Sequence, residues 1–399
     1  MSESLEVQGD NYISVTNLLT VPEDLFLELI FPQLTIKLLM QIKHTSKQIK
    51  YLIEKYQKIC NDKQQIKPRH IDKISTLFPK LNGEIIIKHR AKIVANNFSC
   101  IKSLTFHRSS IISNLAKFTS LEKLILYTPW LKNYNNEFDN ISSLTNLKYL
   151  DVDFTNGCSA NILKGIPALY AAIPNFINLD HLLLNGIGID FDCLLLSKLV
   201  NLSYLYIDHN KQINTTFLLN LTKLTSLCLR SSPSQSLIEI DLAKIPKLAE
   251  LILFNYNITG TTNLSNLTSF EYINIYNREH GLLKKLIYSM TNVTTLYLSY
   301  RAIDLDLEPL EKIKHLTLGY IKIIISLPIN IERLTMYDIY ENDHDIYLTT
   351  LTKLKYIYLS DCSFPIYLPK HYIKKKIIEN CQHVMKWSCS LNEYIAMPQ

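Results

Sequence analysis

One apolar spacing, returning in register along most of the sequence, constrains the fold more than anything else: an apolar residue followed by others three, six and eight positions later. One unit reads Leu144, Leu147, Leu150, Val152; others read Leu221, Leu224, Leu227, Leu229 and Leu267, Phe270, Ile273, Ile275. In a chain that is 47% hydrophobic, a single match arises by chance roughly once in twenty starts, so only recurrence carries weight. With the third position as marker, the units fall at Leu104, Leu124, Leu150, Leu182, Leu205, Leu227, Leu251, Ile273, Leu296, Leu316, Leu334 and Ile357. The eleven intervals cover 253 residues (357 minus 104), a mean of 23, and Pro328 alone breaks the apolar rule among 48 positions.

The last two apolar residues of each unit are two apart, so a short strand points both to one side. The residue three earlier enters the same interior from the preceding bend. One unit cannot bury this row alone, whereas stacked units share a continuous core and pair their strands into a parallel sheet. The rest of each short unit returns through a turn of helix or 3₁₀. Longer intervals carry fuller helices, such as one expected over Asn161 to Ile173. Strands ~4.8 Å apart make twelve units a sheet on the order of 55 Å long.

A period of ~20 to 29 residues with this spacing resembles that of leucine-rich-repeat proteins. The resemblance covers residues 80 to 365 and implies an α/β solenoid: a horseshoe of about twelve units with a parallel concave sheet. Family repeats often place Asn or Cys three residues after the last strand leucine. Here only Asn210 and Cys362 stand there, so a less uniform solenoid is expected. The stretch LPINIERLTM, Leu327 to Met336, also resembles short repeats of the FNIP type.

Residues 21 to 53 differ. Pro22 suits a first helical turn, Glu23 and Asp24 its positive end, and Leu25, Leu29 and Ile30 one apolar face. Pro32 limits this helix; Thr35 can cap a second, and Thr45 or Ser46 a third. These residues resemble an F-box, which opens with Leu-Pro, an acidic pair and a leucine, then an apolar pair, then Ser before a basic residue. Here those places hold Val21, Pro22, Glu23, Asp24, Leu25, then Leu29 and Ile30, then Ser46 and Lys47. The resemblance implies a substrate receptor of an SCF-type cullin-RING ubiquitin ligase, docked on a Skp1-like adaptor through Pro22, Leu25, Leu29, Ile30, Leu34 and Leu38. A helical cap shielding the first repeat would bury the same residues internally. Expected boundaries are a disordered tail at 1–18, the F-box-like unit at 19–60, a linker and N-terminal cap at 61–97, repeats at 98–365 and a C-terminal cap at 366–399.

In each strand the residues before, between and after the last two apolar positions face away from the core. Twelve units supply 36 such positions, and ten are tyrosine: Tyr127, Tyr149, Tyr204, Tyr206, Tyr272, Tyr276, Tyr297, Tyr337, Tyr356 and Tyr358. With 24 tyrosines in 399 residues, about two are expected. Tyrosine is enriched at protein interfaces, although it also favours strands. Asp151, Asp153 and Asp208 stand among the early tyrosines as an acidic zone suited to a basic segment of a protein target.

Few residues suggest chemistry. Nine glycines leave little for phosphate loops, and Gly186 with Gly188 is a fragment of a motif. The eight cysteines and eleven histidines show no metal spacing; Cys381 with His383 is too sparse. No cofactor or catalytic residue is expected, nor an enzyme. The charge of +6 is spread along the chain, without the footprint of a nucleic-acid binder. The start MSESLEVQGDNYISVT lacks the features of a secretory leader, and no apolar run reaches the ~18 residues of a membrane helix. A reduced protein of cytoplasm or nucleus is expected, serving as a ubiquitin-ligase receptor or as a leucine-rich scaffold or inhibitor.

Overall fold

The computed structural model describes residues 102–384, apart from 108–114, 116–117, 128–140, 154–165, 188–190, 210–213, 232–237, 243–244, 260–263, 275–280, 301–303, 322, 340–344, 372 and 382–383. It also describes the backbone of 4–6, 12–14, 64–65, 84–87, 385–388 and 393–396. Residues 21 to 53, with every residue of the F-box resemblance, lie outside the described set. The chain divides into two compact units, Met1–Leu183 and Leu184–Gln399.

In the first unit, strands β1 (Gln64–Gln65), β2 (Glu84–Ile87), β3 (Ser103–His107), β4 (Lys123–Tyr127) and β5 (Tyr149–Asp153) pair in sequence order, all parallel. Leu104, Leu124 and Leu150 stand in one row, as the marker spacing predicts. Helix α1 (Ile166–Ala172) returns the chain from β5 to β6 (His181–Ile187), within which the unit boundary falls. It occupies part of the helix expected from the long interval. At the start of the chain, Ser4–Glu6 and Tyr12–Ser14 form an antiparallel pair where a disordered tail was expected. The alternating triplets Ser-Leu-Glu and Tyr-Ile-Ser suit such a hairpin.

The second unit repeats the pattern through β7 (Tyr204–His209), β8 (Ser226–Ser231), β9 (Glu250–Phe254), β10 (Ser269–Ile273), β11 (Thr295–Ser299), β12 (His315–Gly319), β13 (Arg333–Ile339), β14 (Tyr356–Cys362) and β15 (Lys375–Glu379). Each pairs parallel with the next. Parallel pairs also join the return segments, Ile238–Asp241 with Tyr256–Thr259 and Asp304–Asp306 with Ile323–Ser326. Other returns use 3₁₀ turns. Asp192 and Asn214 cap two of these, accepting from the Leu194 and Thr216 amides. The residues expected as caps, around β2 and β15, add strands to the ladder.

A turn closes the entry to strands β4 to β12 and to β14. The amide of the second apolar residue donates to the carbonyl of the first, as Leu147 to Leu144 (3.1 Å), Leu202 to Leu199 (3.0 Å) and Leu224 to Leu221 (3.0 Å). Both side chains are thereby delivered inward, and Leu144, Leu147, Leu150 and Val152 are fully buried. Pro328, the exception to the apolar rule, is buried at its predicted place. A cyclic hydrocarbon side chain serves there as an aliphatic one does.

One unit is framed differently from the sequence expectation. Phe270, not Ile273, pairs with Leu251 and Leu296, so the core residues are Leu264, Leu267, Phe270 and Tyr272. Apolar residues at steps of three satisfy both frames, and a tyrosine filling the fourth core place hid the correct one. Tyr272 is only 2% exposed. Its hydroxyl donates to the Tyr256 carbonyl at 2.9 Å, and Asn274 Nδ2 lies 3.2 Å from that carbonyl and 3.1 Å from the hydroxyl. Tyr272 is therefore a core residue rather than a surface contact.

The sparse asparagine position is explained by what stands there. Asn255, Tyr320, Asp338 and Asp361, each two places after the last core residue of a strand, adopt φ of 60°, 54°, 53° and 52°. The left-handed turn sends the following residue inward, and Tyr256, Ile321, Ile339 and Cys362 are buried. A different row of asparagines ties the turns, each preceding the second apolar residue of its unit. Nδ2 of Asn146, Asn178, Asn266, Asn292 and Asn330 donates to a carbonyl one unit earlier, that of Thr119, Thr145, Pro246, Ser265 and Glu311, at 2.6–2.9 Å. Where lysine holds this place, it donates back to the asparagine before it: Lys223 to Asn201 and Lys353 to Asn330, each at 2.7 Å.

Candidate functional site

Alternation along each strand leaves one sheet face outside the core. Strand β5 shows it directly: Leu150 and Val152 are buried, whereas Tyr149, Asp151 and Asp153 are half-buried on the other side. Tyr127, Tyr149, Tyr204, Tyr206, Tyr297, Tyr337, Tyr356 and Tyr358 all occupy such half-buried face positions. Tyr272 does not, for the reason given above, and Tyr276 lies outside the described residues. Adjacent strands hold side chains of one face row ~4.8 Å apart, so rings on neighbouring strands can form contiguous patches.

In the first unit the face is mixed in charge. Lys123 Nζ lies 4.9 Å from the centroid of the Tyr149 ring, on which His181 stacks at 5.8 Å. His181 Nδ1 is 2.8 Å from Asp180 Oδ2. Burial, with the Asp153 carboxylate behind it, raises the Asp151 carboxyl to about 6.

In the second unit Arg230 is the centre of a cluster that the tyrosine pattern did not single out. It pairs with Asp208 on one side and Phe254 on the other. Its guanidinium carbon lies 4.3 Å from the Phe254 ring centroid and 5.7 Å from that of Tyr206. The Nε atom is buried and has no hydrogen-bond partner among the described residues. Glu271, also half-buried, has its carboxyl raised by burial, an effect that Arg230 opposes. Burial pushes Tyr206 up to about 12, so its hydroxyl remains a donor at neutral pH. A cation held between two rings gains ~0.5–2 kcal/mol and is stiffened. Arg230 and Phe254 occupy face positions that were already defined, and a count of all aromatic and arginine residues there would have found them.

Farther along, the hydroxyls of Tyr297 and Tyr337 form a short hydrogen bond across β12. Gly319 makes room for it: a Cβ there would stand 2.2–2.5 Å from the Tyr337 ring and hydroxyl. Arg333 lies over the Tyr356 ring at 4.6 Å, and the Tyr358 hydroxyl donates to Glu379 Oε2 at 3.0 Å. These aromatic, hydrogen-bonding groups supply contact area and donors. Among the described residues no group of His, Cys, Asp and Glu could hold a metal ion. No described helix is long and apolar enough to cross a membrane.

Parallel strands in sequence order, a recurring inward apolar pair rich in leucine and short irregular returns define a leucine-rich-repeat solenoid. Among solved structures, the chain is similar to a leucine-rich-repeat protein of Leptospira interrogans, with 16% identity and a TM-score of 0.55 over 78% of this chain and 81% of that one. It is also similar to an internalin of Listeria monocytogenes, with 18% identity and a TM-score of 0.41 over 77% and 82%. The first likeness bears on the fold alone. No protein-family model matches the sequence, and no curated protein does.

Proposed function

We propose that this chain is a non-catalytic protein-binding module, and that the face of the second unit around Tyr206, Arg230 and Phe254 is its principal contact. The observation that carries this reading is the Arg230 side chain, braced by two rings, with a buried Nε that has no acceptor among the described residues. Rigid aromatic and arginine groups of this kind dominate protein interfaces. Interaction proteomics with a Tyr206→Ala, Arg230→Ala double variant is the test. Targets captured by wild type should be lost while the thermal melt stays within a few degrees. Retention of every target by a folded variant refutes this face as the contact.

The finer proposal is that the module serves as the substrate-recognition subunit of an SCF-type ubiquitin ligase, with Pro22, Leu25, Leu29, Ile30, Leu34 and Leu38 against a Skp1-like adaptor that leads to a cullin. Its support is the F-box-like pattern ahead of a leucine-rich array. In a pull-down with a Skp1-type adaptor, wild type should be retained and a Leu25→Ala, Leu29→Ala variant lost. If wild type does not bind the adaptor, the second reading stands, a scaffold or inhibitor that occupies its target without a ubiquitin role. Residues 21 to 53 are then a helical cap.

A further inference from the structure

Two thiols away from that face occupy matching places on the last two strands of the second unit's ladder. Cys362 ends β14 and Cys381 follows β15. Each is three residues past the last inward-facing residue of its strand, Leu359 and Ile378, and these two are paired in register. The residues ahead of them, Asp361 and Asn380, share a left-handed φ of 52°, so both corners turn the same way. Asn380 Nδ2 donates to Asp361 Oδ1 at 3.0 Å and ties the corners together. In-register neighbours in such a ladder have Cα atoms ~4.8 Å apart, within the ~4.4–6.8 Å that a disulfide spans.

The two sulfurs differ in environment. Cys362 is buried, whereas Cys381 is partly exposed. The Cys362 thiol donates to the Ser360 carbonyl at 3.4 Å and the Cys381 thiol to the Glu379 carbonyl at 3.2 Å. The neighbouring Cys362 thiol lowers Cys381 below the usual thiol range, against its partial burial and the Asp361 carboxylate. The proximity of Cys381, together with burial, pushes Cys362 up. An accessible sulfur favoured as thiolate beside a protected sulfur that keeps its proton matches an attacking thiol and a resolving one. By contrast, burial pushes the thiols of Cys193 and Cys228 up to about 12.

We propose that Cys362 and Cys381 are a redox-active pair which a hydroperoxide closes into a disulfide, joining the last two strands of the ladder. The Cys381 thiolate attacks one peroxide oxygen. The O–O bond breaks, the departing oxygen takes a proton and leaves as water or alcohol, and the Cys381 sulfur is oxidised to a sulfenic acid. The Cys362 sulfur then attacks the Cys381 sulfur, the S–S bond forms, and the sulfenic hydroxyl leaves with the Cys362 proton as water. Two thiols lose two electrons and two protons overall, and the hydroperoxide is reduced.

The test uses the full chain, reduced and then exposed to hydrogen peroxide at pH 7. Remaining thiols are alkylated under denaturing conditions and the peptides mapped by mass. A linked Cys362–Cys381 peptide, reversed by dithiothreitol, should appear while Cys193 and Cys228 are still fully alkylated. In Cys362→Ala, Cys381 should accumulate as a sulfenic acid trapped by dimedone. If that variant fails to fold, Cys381→Ser, at the more exposed place, should leave Cys362 reduced at the same peroxide dose. The proposal is overturned if peroxide leaves Cys381 as alkylatable as Cys193, if Cys381 links mainly to another cysteine, or if Cys362 oxidises equally fast in Cys381→Ser.

Discussion

Burial, and more weakly the Asp153 carboxylate, disfavour the charge of Asp151, and Lys123 opposes them. With a folded-state value of about 6 against ~3.9 for an exposed aspartate, the folded chain keeps a proton that the unfolded chain has released. The stability from this group is complete below ~pH 4 and is lost as pH rises through about 6. Glu122 acts in the opposite sense, its carboxyl lowered by hydrogen bonds from Lys102 and Lys148, so a melt of wild type alone mixes the two. Comparison with Asp151→Asn isolates the first. That variant should melt higher than wild type at pH 7, and the gap should shrink at pH 5. An equal gap at both pH values would show that Asp151 is not held neutral by its site. The choice of aspartate was legible in the sequence as a face position; its altered acidity was not, because it depends on how far the neighbouring strands cover it.

At the scale of the element, the turn entering each strand holds successive units together, and its asparagine is the joint. Asn330 links three units, donating to Glu311 of the unit before and accepting from Lys353 of the unit after. Replacing it with alanine removes both bonds from partly solvated partners, a loss of about 1 kcal/mol. Ile329→Ala, at the exposed neighbour, supplies the control. A lower melting temperature for Asn330→Ala alone is expected, and equal melts for the two variants would mean that the joint carries no stability. This row could have been read from the sequence, since Asn146, Asn178, Asn201, Asn266, Asn292 and Asn330 recur before the second apolar residue. The family pattern marks the corner after the strand instead, and this row lies on the other side of it. The frame around Phe270 was less accessible: two settings of the apolar pattern fit equally, and only the pairing with Leu251 and Leu296 separates them.

For the molecule as a whole, nearest-neighbour stacking makes position along the ladder matter more than composition. Strand β15 has no fully buried residue, whereas Leu227 and Leu229 of β8 and Leu251 and Leu253 of β9 are wholly enclosed. Hydrogen exchange should therefore find the amides of β15 opening before those of β8 and β9; uniform protection along the second unit would contradict a chain of separately stacked units. Leu205→Ala, within the enclosed region, should cost ~2–5 kcal/mol through the cavity it leaves, read as a large drop in melting temperature. The repeat and its core were legible because burial repeats at fixed steps, and the Arg230 cluster lies on face positions that the same steps define, while the thiol pair joins a strand outside the twelve units that the spacing marked. The asparagine joints also divide the gene into tolerant and intolerant stretches. An inserted codon in a return segment leaves every joint in place, as the long passage between β5 and β6 illustrates. One extra residue between Asn330 and Leu334 would turn the strand's inward row toward water. Natural length variation among descendants of this sequence should accordingly gather in the returns and spare the eight to ten residues from each joint to the end of its strand.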